Sequence, residues 1–292
     1  NRMNLHQNKL IIIVAALAVI LGIIGFWYWQ KNSYSKEILK LEILGPNEAI
    51  LAQEVEYTVK YKNNGEIRLE EPKLIFEYPA YSILDGEKPL RQEMTLEDIY
   101  PGEEKTFKFP GRLLGKEGEI KTARAWLSYK PKNLTARYES QTSLATQIKS
   151  VPLTLEFDLA SKIDSGKDVS LRLNYFSNVD YPLPDLGIKI EYPTDFEFQK
   201  AVPKPLEKTE WSIGLLNKAE GGRIEITGNL KGQIGEQKQF KAQLGRWQDG
   251  EFILLKETIR AVEIVTPSLY IAQQINNSPQ YVANAGDTLH YE

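Results

Sequence analysis

The sequence contains no cysteine, and this absence removes several kinds of chemistry at once. Disulfides, thiolate nucleophiles and cysteine-ligated metal sites are all excluded. Domains of about 110 residues bury enough apolar surface to fold without disulfide staples. The lack of cysteine is therefore compatible with an exported bacterial or archaeal protein, but it does not by itself indicate export.

Histidine is almost as scarce, since only His6 and His290 are present and each lies near a chain end. Ser–His–Asp and Cys–His arrangements are therefore excluded from the region between them, as is a histidine-ligated zinc site. A glycosidase-like pair of carboxylates is formally open, but no two acidic residues stand out. The sequence predicts that the chain is not an enzyme and has no catalytic residue and no cofactor.

A metal site is not predicted either, because there is no dense Asp-x-Asp-x-Asp loop. The nearest approximations to a calcium site are Asp180 with Asp185, and Asp85 with Glu87. The segment Gly111–Glu117 superficially resembles a phosphate-binding loop. Its spacing is one residue short and Glu117 replaces the required Ser or Thr, so a strand end followed by a turn is predicted there.

Neither sign of charge is in large excess, since 36 basic residues stand against 39 acidic residues and the formal net charge is -3. A balanced chain of this kind has no electrostatic footprint for nucleic acid, which excludes that class of partner. It also has no polybasic segment for binding anionic lipid.

One long apolar run is present, from Leu10 to Trp29. Twenty helical residues would span about 30 Å, the thickness of a bilayer core. The run therefore predicts a transmembrane signal anchor over residues 10–30 that contacts membrane lipid, with a cytoplasmic stub at 1–9 and the bulk outside. A buried soluble helix and a signal peptide cleaved near Ser33–Ser35 are the alternatives.

The remainder of the chain repeats itself. Val55–Tyr61 and Val169–Tyr175 share one alternation of apolar and polar residues about 114 positions apart, and Glu77–Pro79 recurs as Glu191–Pro193. Further matched pairs are Gly111 and Gly228, Gly118 and Gly235, and Lys121 and Lys238. This order of matches predicts a duplication, with repeat 1 at 38–150 and repeat 2 at 151–265.

A third copy is predicted to begin after repeat 2. Pro267–Tyr270 resembles the opening of repeat 2, and Ala285–Tyr291 reads as a second strand. An unfinished strand pair could not bury a core. Residues 266–292 are therefore interpreted as the start of a truncated third repeat, and the chain as part of a longer protein.

Apolar residues after position 37 recur every second position, not with the 3.6-residue period of a helix. Strands are predicted near Leu39–Leu44, Val55–Tyr61 and Lys73–Tyr78, with equivalents in repeat 2. Turn residues such as those at 63–65 separate them. About seven short strands per repeat predict an all-β fold of tandem immunoglobulin-like β-sandwiches following the N-terminal helix.

The motifs resemble a known group of repeats at several points. Gly286–Tyr291, Ile190–Phe198 and Trp211–Leu215 are similar to elements of the DUF11-like and CARDB-like immunoglobulin-fold repeats of bacterial and archaeal cell-surface proteins. Repeat 1 departs from the pattern, since Gln53-Glu54 replaces Gly-Asp. The resemblance implies a surface repeat of adhesive or architectural type. Gly187–Val202 would also fit a cohesin module.

Three functional hypotheses follow. The first is a membrane-anchored extracellular stalk, structural or adhesive, with a cell-surface protein or polysaccharide as its partner. The second is a specific binding module, cohesin-like or carbohydrate-binding, for which Trp126, Trp211 and Trp247 are candidate contacts. Strand-phased aromatic residues more often pack in a core or against a sheet. The third is a spacer for an enzyme or receptor domain beyond Glu292.

Overall fold

The structure is a computed structural model. It describes residues 19–23, 38–86, 88–266, 275–276, 280 and 282–290. Seventeen β-strands account for most of these residues, so the predicted all-β class is confirmed. Apolar residues alternate along the strands, which places every second side chain on one face of a sheet.

The first eight strands form two sheets. They are β1 Leu39–Leu44, β2 Glu48–Ile50, β3 Glu54–Asn63, β4 Leu69–Glu77, β5 Arg91–Thr95, β6 Glu104–Arg112, β7 Ile120–Pro131 and β8 Tyr138–Ser150. One sheet has the order β1-β3-β6 and the other the order β2-β8-β7-β4-β5. Phe76 of β4 stacks on Phe109 of β6 with ring centroids 4.1 Å apart, so the two sheets pack face to face.

The other nine strands form a second pair of sheets. They are β9 Leu153–Asp158, β10 Lys162–Asp164, β11 Asp168–Ser177, β12 Leu183–Glu191, β13 Phe196–Val202, β14 Glu210–Leu216, β15 Gly221–Leu230, β16 Gln237–Gln248 and β17 Glu251–Val265. Their orders are β13-β15-β11-β9 and β10-β17-β16-β12-β14. Phe240 of β16 meets Phe196 of β13 edge-on at 5.3 Å, which joins the two sheets through a common core.

The two sandwich-like units share one strand order and one register. In the first, β3 pairs with β6 so that Val55 lies opposite Gly111; in the second, β11 pairs with β15 so that Val169 lies opposite Gly228. A short strand pairs in parallel with the last strand in each unit, β2 with β8 and β10 with β17. Residues that match between the two halves of the sequence therefore have matching cross-strand partners in the two units.

The main difference between the units is strand β13. In the second unit β13 covers one edge of β15 from Phe196 to Val202. Among the described residues of the first unit, Ile83 alone forms a bridge there, to Arg112 at the end of β6. Pro110 in β6 has no backbone N–H, which protects this barer edge against pairing with another strand.

The predicted single-pass anchor over Leu10–Trp29 is corrected by the structure. Within the described parts of the chain, α-helix occurs at residues 19–23, and no helix there is long and apolar enough to cross a membrane. The predicted single-pass membrane location is therefore wrong by this structure. The stub at 1–9 and the rest of the 10–30 segment lie outside the described residues.

The predicted start of a third repeat, 266–292, is described only in part. Asn276 donates its backbone N–H to the His290 carbonyl oxygen at 2.9 Å, and the Asn276 side-chain oxygen accepts from the His290 N–H at 2.9 Å. Gly286 adopts a φ of 101°. The third repeat, and the boundaries 38–150 and 151–265, stay predictions.

Candidate functional site

The connection between the two units is short and tied to both of them. Strand β8 ends at Ser150 and β9 begins at Leu153, with Val151 only 5% exposed between them. The Ser150 carbonyl oxygen accepts a hydrogen bond from the Leu51 N–H at 2.9 Å. The Pro152 carbonyl oxygen accepts one from the Asn178 N–H, also at 2.9 Å. Hydrogen bonds to each unit therefore hold the connection on both sides.

Arg112, the last residue of β6, spans the gap beside this connection. Its guanidinium donates to the Glu54 carboxylate at 2.8 Å and to the Ala52 carbonyl oxygen at 3.3 Å, both in the first unit. The same guanidinium lies 4.7 Å from the ring centroid of Tyr181 in the second unit. A cation fixed by its own unit thus contacts an aromatic ring of the next one.

A second contact joins the units through Tyr81. The Tyr81 hydroxyl donates to the carboxylate of Glu251, at the start of β17. This hydrogen bond raises the pKa of Tyr81 above its usual value, and the negative charge of Glu251 adds to the effect. Asp249 and Gly250 form the turn before Glu251 with φ of 52° and 81°, the left-handed conformation that a tight β-hairpin uses.

Lys121 supports Tyr81 from the first unit. Its Nζ lies 5.8 Å from the centroid of the Tyr81 ring and 2.6 Å from Oε1 of Glu119. Lys121 is 5% exposed, so its charge is held in place by that carboxylate.

Lys121 is held in position by a turn in which a glutamate accepts a backbone N–H, and this glutamate turn recurs in the chain. The Glu119 Oε2 atom accepts from the Lys116 N–H at 3.0 Å, while Gly118 adopts a φ of 82°. The second unit repeats the arrangement with Gln233, Gly235, Glu236 and Lys238, and the turn at Tyr100, Gly102, Glu103 and Lys105 repeats it again. A glutamate that accepts a backbone N–H and a lysine together fixes each turn.

The turn at Glu236 leads to a prediction on pH. Lys238, and then the Gln233 N–H, lower the pKa of Glu236 below its ordinary value of 4.5, and Glu236 raises the pKa of Lys238 above 10.5. A lowered carboxyl pKa contributes stability above the ordinary value, and that contribution is lost as pH falls through the folded value. We expect Glu236→Gln to lower the melting temperature at pH 7 and to lower it less at pH 3. Glu117→Gln, at an exposed position in the equivalent turn, is the control; an equal loss at both pH values would contradict the assignment.

A cleft of about 460 Å³ opens between the two units beside these contacts. Gln53, Glu54 and Arg112 line it from one side, and Asn178 and Asp180 from the other. Among the described residues no group of three or more His, Cys, Asp or Glu side chains could hold a metal ion. The arrangement can orient the two units relative to each other, and it pairs no nucleophile with a base.

The residues singled out in the sequence lie apart from one another. Trp211 is buried and its Nε1 donates to the Pro203 carbonyl oxygen at 3.0 Å, so it is a core residue. Trp126 lies on the outer face of its sheet, 5.0 Å from the Arg91 guanidinium. Trp247 is 37% exposed on the outer face of the second unit.

Two of the acidic residues considered for calcium, Asp180 and Asp185, have other partners. Asp180 pairs with Lys218, and the Asp185 carboxylate lies 3.8 Å from the Arg246 guanidinium. Glu87 lies outside the described residues. The segment Gly111–Glu117 begins at the end of β6 and continues into the Lys116–Glu119 turn, as the sequence predicts for it.

The sequence matches no protein-family model and no curated protein. Its fold is similar to parts of several solved structures. A red sea bream transglutaminase aligns over 82% of this chain and 33% of its own, at 10% identity and a TM-score of 0.37. Native Escherichia coli alpha-2-macroglobulin aligns over 78% and 17%, at 11% identity and a TM-score of 0.33.

The enzyme AvmM, which catalyses macrocyclization in alchivemycin A biosynthesis, aligns over 41% of this chain and 92% of its own. The identity is 10% and the TM-score 0.33. This chain thus spans about a third or less of the transglutaminase and the macroglobulin. Similarities of this size assign no activity to the chain.

Proposed function

We propose that residues 38–265 form a non-catalytic structural spacer, a segment of stalk built from two immunoglobulin-like β-sandwiches held at a fixed angle. The observation that carries this proposal is the junction, where the two-residue connection at Val151 and Pro152 is flanked by the Arg112–Tyr181 and Tyr81–Glu251 contacts. A flexible tether would be long and rich in Gly or Ser. A spacer that holds its ends at a fixed distance needs a short and ordered connection between its domains. The two-residue connection at Val151 and Pro152 is of this kind.

The immunoglobulin-like assignment is supported by the strand order. In each unit the first and second long strands share a sheet with the antepenultimate strand, as β1-β3-β6 and as β9-β11-β15. The last two strands share the other sheet with the third long strand, which pairs with the penultimate one, as β8-β7-β4 and as β17-β16-β12. This division of strands between two facing sheets is the pattern of immunoglobulin-type sandwiches. Such domains in series can act as spacers, the role that we propose for this chain.

The spacer proposal is tested by measuring the distance between the units. Because the chain contains no cysteine, Ala145→Cys and Ala261→Cys introduce two spin-label sites without competing thiols. Both alanines are exposed and occupy equivalent positions in β8 and β17. Double electron–electron resonance on the full chain is expected to give one narrow distance distribution. A broad distribution, like that of two freely jointed domains, would overturn the proposal.

A further inference from the structure

The outer face of the second sandwich carries a pair of aromatic rings seated on glycines. Gly187 of β12 lies directly opposite Gly245 of β16. A Cβ atom at 187 would lie 2.9 Å from Nε1 of Trp247, and one at 245 would lie 2.7 Å from the Phe252 ring. A larger residue at 187 would displace the Trp247 ring, and one at 245 would clash both with the Phe252 ring and with the Ile253 carbonyl oxygen, 2.6 Å from the added Cβ. The cross-strand glycine pair therefore forms a floor on which both rings rest.

The two rings form one continuous surface. The centroids of Trp247 and Phe252 are 5.2 Å apart with their planes inclined at 63°. Trp247 remains 37% exposed, although its indole is a large apolar group that would ordinarily be covered. Trp211, on the neighbouring strand β14, shows the alternative, since it is buried and its N–H is bonded to protein.

The charges around this surface are balanced. The Lys189 Nζ lies 4.4 Å from the Trp247 centroid and 4.9 Å from the Phe252 centroid, and 3.3 Å from the Glu210 carboxylate. The Gln243 amide donates to the Glu257 carboxylate at 2.8 Å on the same face. Glu210 would repel an anionic ligand, and Lys189 would repel a cationic one. A neutral ligand whose hydroxyls both donate and accept suits such mixed surroundings.

We propose that Trp247, Phe252 and Lys189 form a binding platform for a neutral polysaccharide. The apolar face of a sugar ring would stack on the Trp247 indole in place of the Lys189 ammonium that lies over it, and the sugar hydroxyls would hydrogen-bond to the displaced Lys189 and to Glu210. Trp247 and Phe252 flank the hairpin that carries Glu251, but neither they nor Lys189 makes a junction contact. The inference therefore goes beyond the spacer function and does not depend on it. It adds adhesion to a polymer as a separate activity of the second sandwich.

Affinity electrophoresis of the full chain tests the platform, with hydroxyethyl cellulose as the neutral polymer in the gel and polygalacturonate as the anionic one. We expect hydroxyethyl cellulose to slow the wild-type chain. Trp247→Ala is expected to weaken binding about tenfold, the change for losing one aromatic stacking contact. Trp247→Phe should retain part of the affinity, because a smaller ring still offers a face.

The matched control is Tyr100→Ala, which removes another exposed aromatic ring, in this case one 5.8 Å from the Arg68 guanidinium. It should bind like the wild type. The proposal is overturned if hydroxyethyl cellulose does not slow the wild-type chain, if Trp247→Ala binds as Tyr100→Ala does, or if only polygalacturonate slows the chain. Thermal unfolding of each variant shows whether it is folded. If Trp247→Ala does not fold, the comparison of Trp247→Phe with the wild type decides the test.

Discussion

Replacing Leu173 by Ala is expected to lower the free energy of unfolding of the second sandwich by about 2–5 kcal/mol, the range for emptying a fully buried leucine site. Leu173 is 0% exposed in the middle of β11. It lies opposite Phe157 of β9 and Ile224 of β15, so a cavity there would be bordered by strands on both sides. Urea unfolding followed by circular dichroism measures the loss.

The neighbouring residue provides the control for this experiment. Arg172 points to the opposite face, where its side chain is 49% exposed and pairs with Asp158 at 3.5 Å and Glu225 at 3.4 Å. Exposed ion pairs contribute little, so Arg172→Ala should change the stability by at most about 0.5 kcal/mol. Similar losses for the two variants would mean that the faces of β11 are assigned the wrong way round.

These faces could be read from the sequence because alternation is a local signal. The pattern at Val169, Leu171, Leu173 and Tyr175 predicts one inward face, and the structure buries the first three and packs the half-buried Tyr175 against the core. The matched glycines at 111 and 228, which predict duplication, occupy equivalent places in the two units, since each pairs opposite the first valine of a long strand. Two copies of one pattern give more information on pairing than either copy alone.

The strands that sequence reasoning missed are short or irregular. β10 has three residues, and β14 contains Gly214 with a φ of 74°, which breaks the two-residue period. β13 follows the long strand β12 after only a few residues and crosses to the other sheet. Their pairing depends on the tertiary edges available to them, so it has no signal within the segment itself.

The junction contacts could not be predicted for a related reason. Tyr81 and Glu251 are 170 residues apart, and nothing local to either residue indicates the other. The glutamate turn, by contrast, had a usable signal in the recurring Gly-Glu-x-Lys at 118–121 and 235–238. The sequence marks Trp247 as a candidate aromatic contact, but the position of its ring against the sheet depends on Gly187, which lies on another strand.

Removing both cross-junction contacts is expected to release the two sandwiches from their fixed angle. Tyr81→Phe deletes the hydroxyl that donates to Glu251, and Tyr181→Leu deletes the ring beside Arg112 while keeping an apolar side chain. A cation–π contact at an exposed site contributes about 0.5–1 kcal/mol, and the Tyr81–Glu251 hydrogen bond is likewise exposed to solvent, so either substitution alone should broaden the distance distribution only modestly.

The double variant should broaden it far more, because the two contacts lie on separate loops and each limits the rotation that the other would permit. Spin labels at positions 145 and 261 give the distance distribution, and circular dichroism shows that both sandwiches remain folded. Tyr100→Phe, which alters a tyrosine outside both contacts, should leave the distribution unchanged. If the double variant keeps the narrow wild-type distribution, the stiffness comes from Val151, Pro152 and their backbone hydrogen bonds alone, and the side-chain contacts have no part in setting the angle.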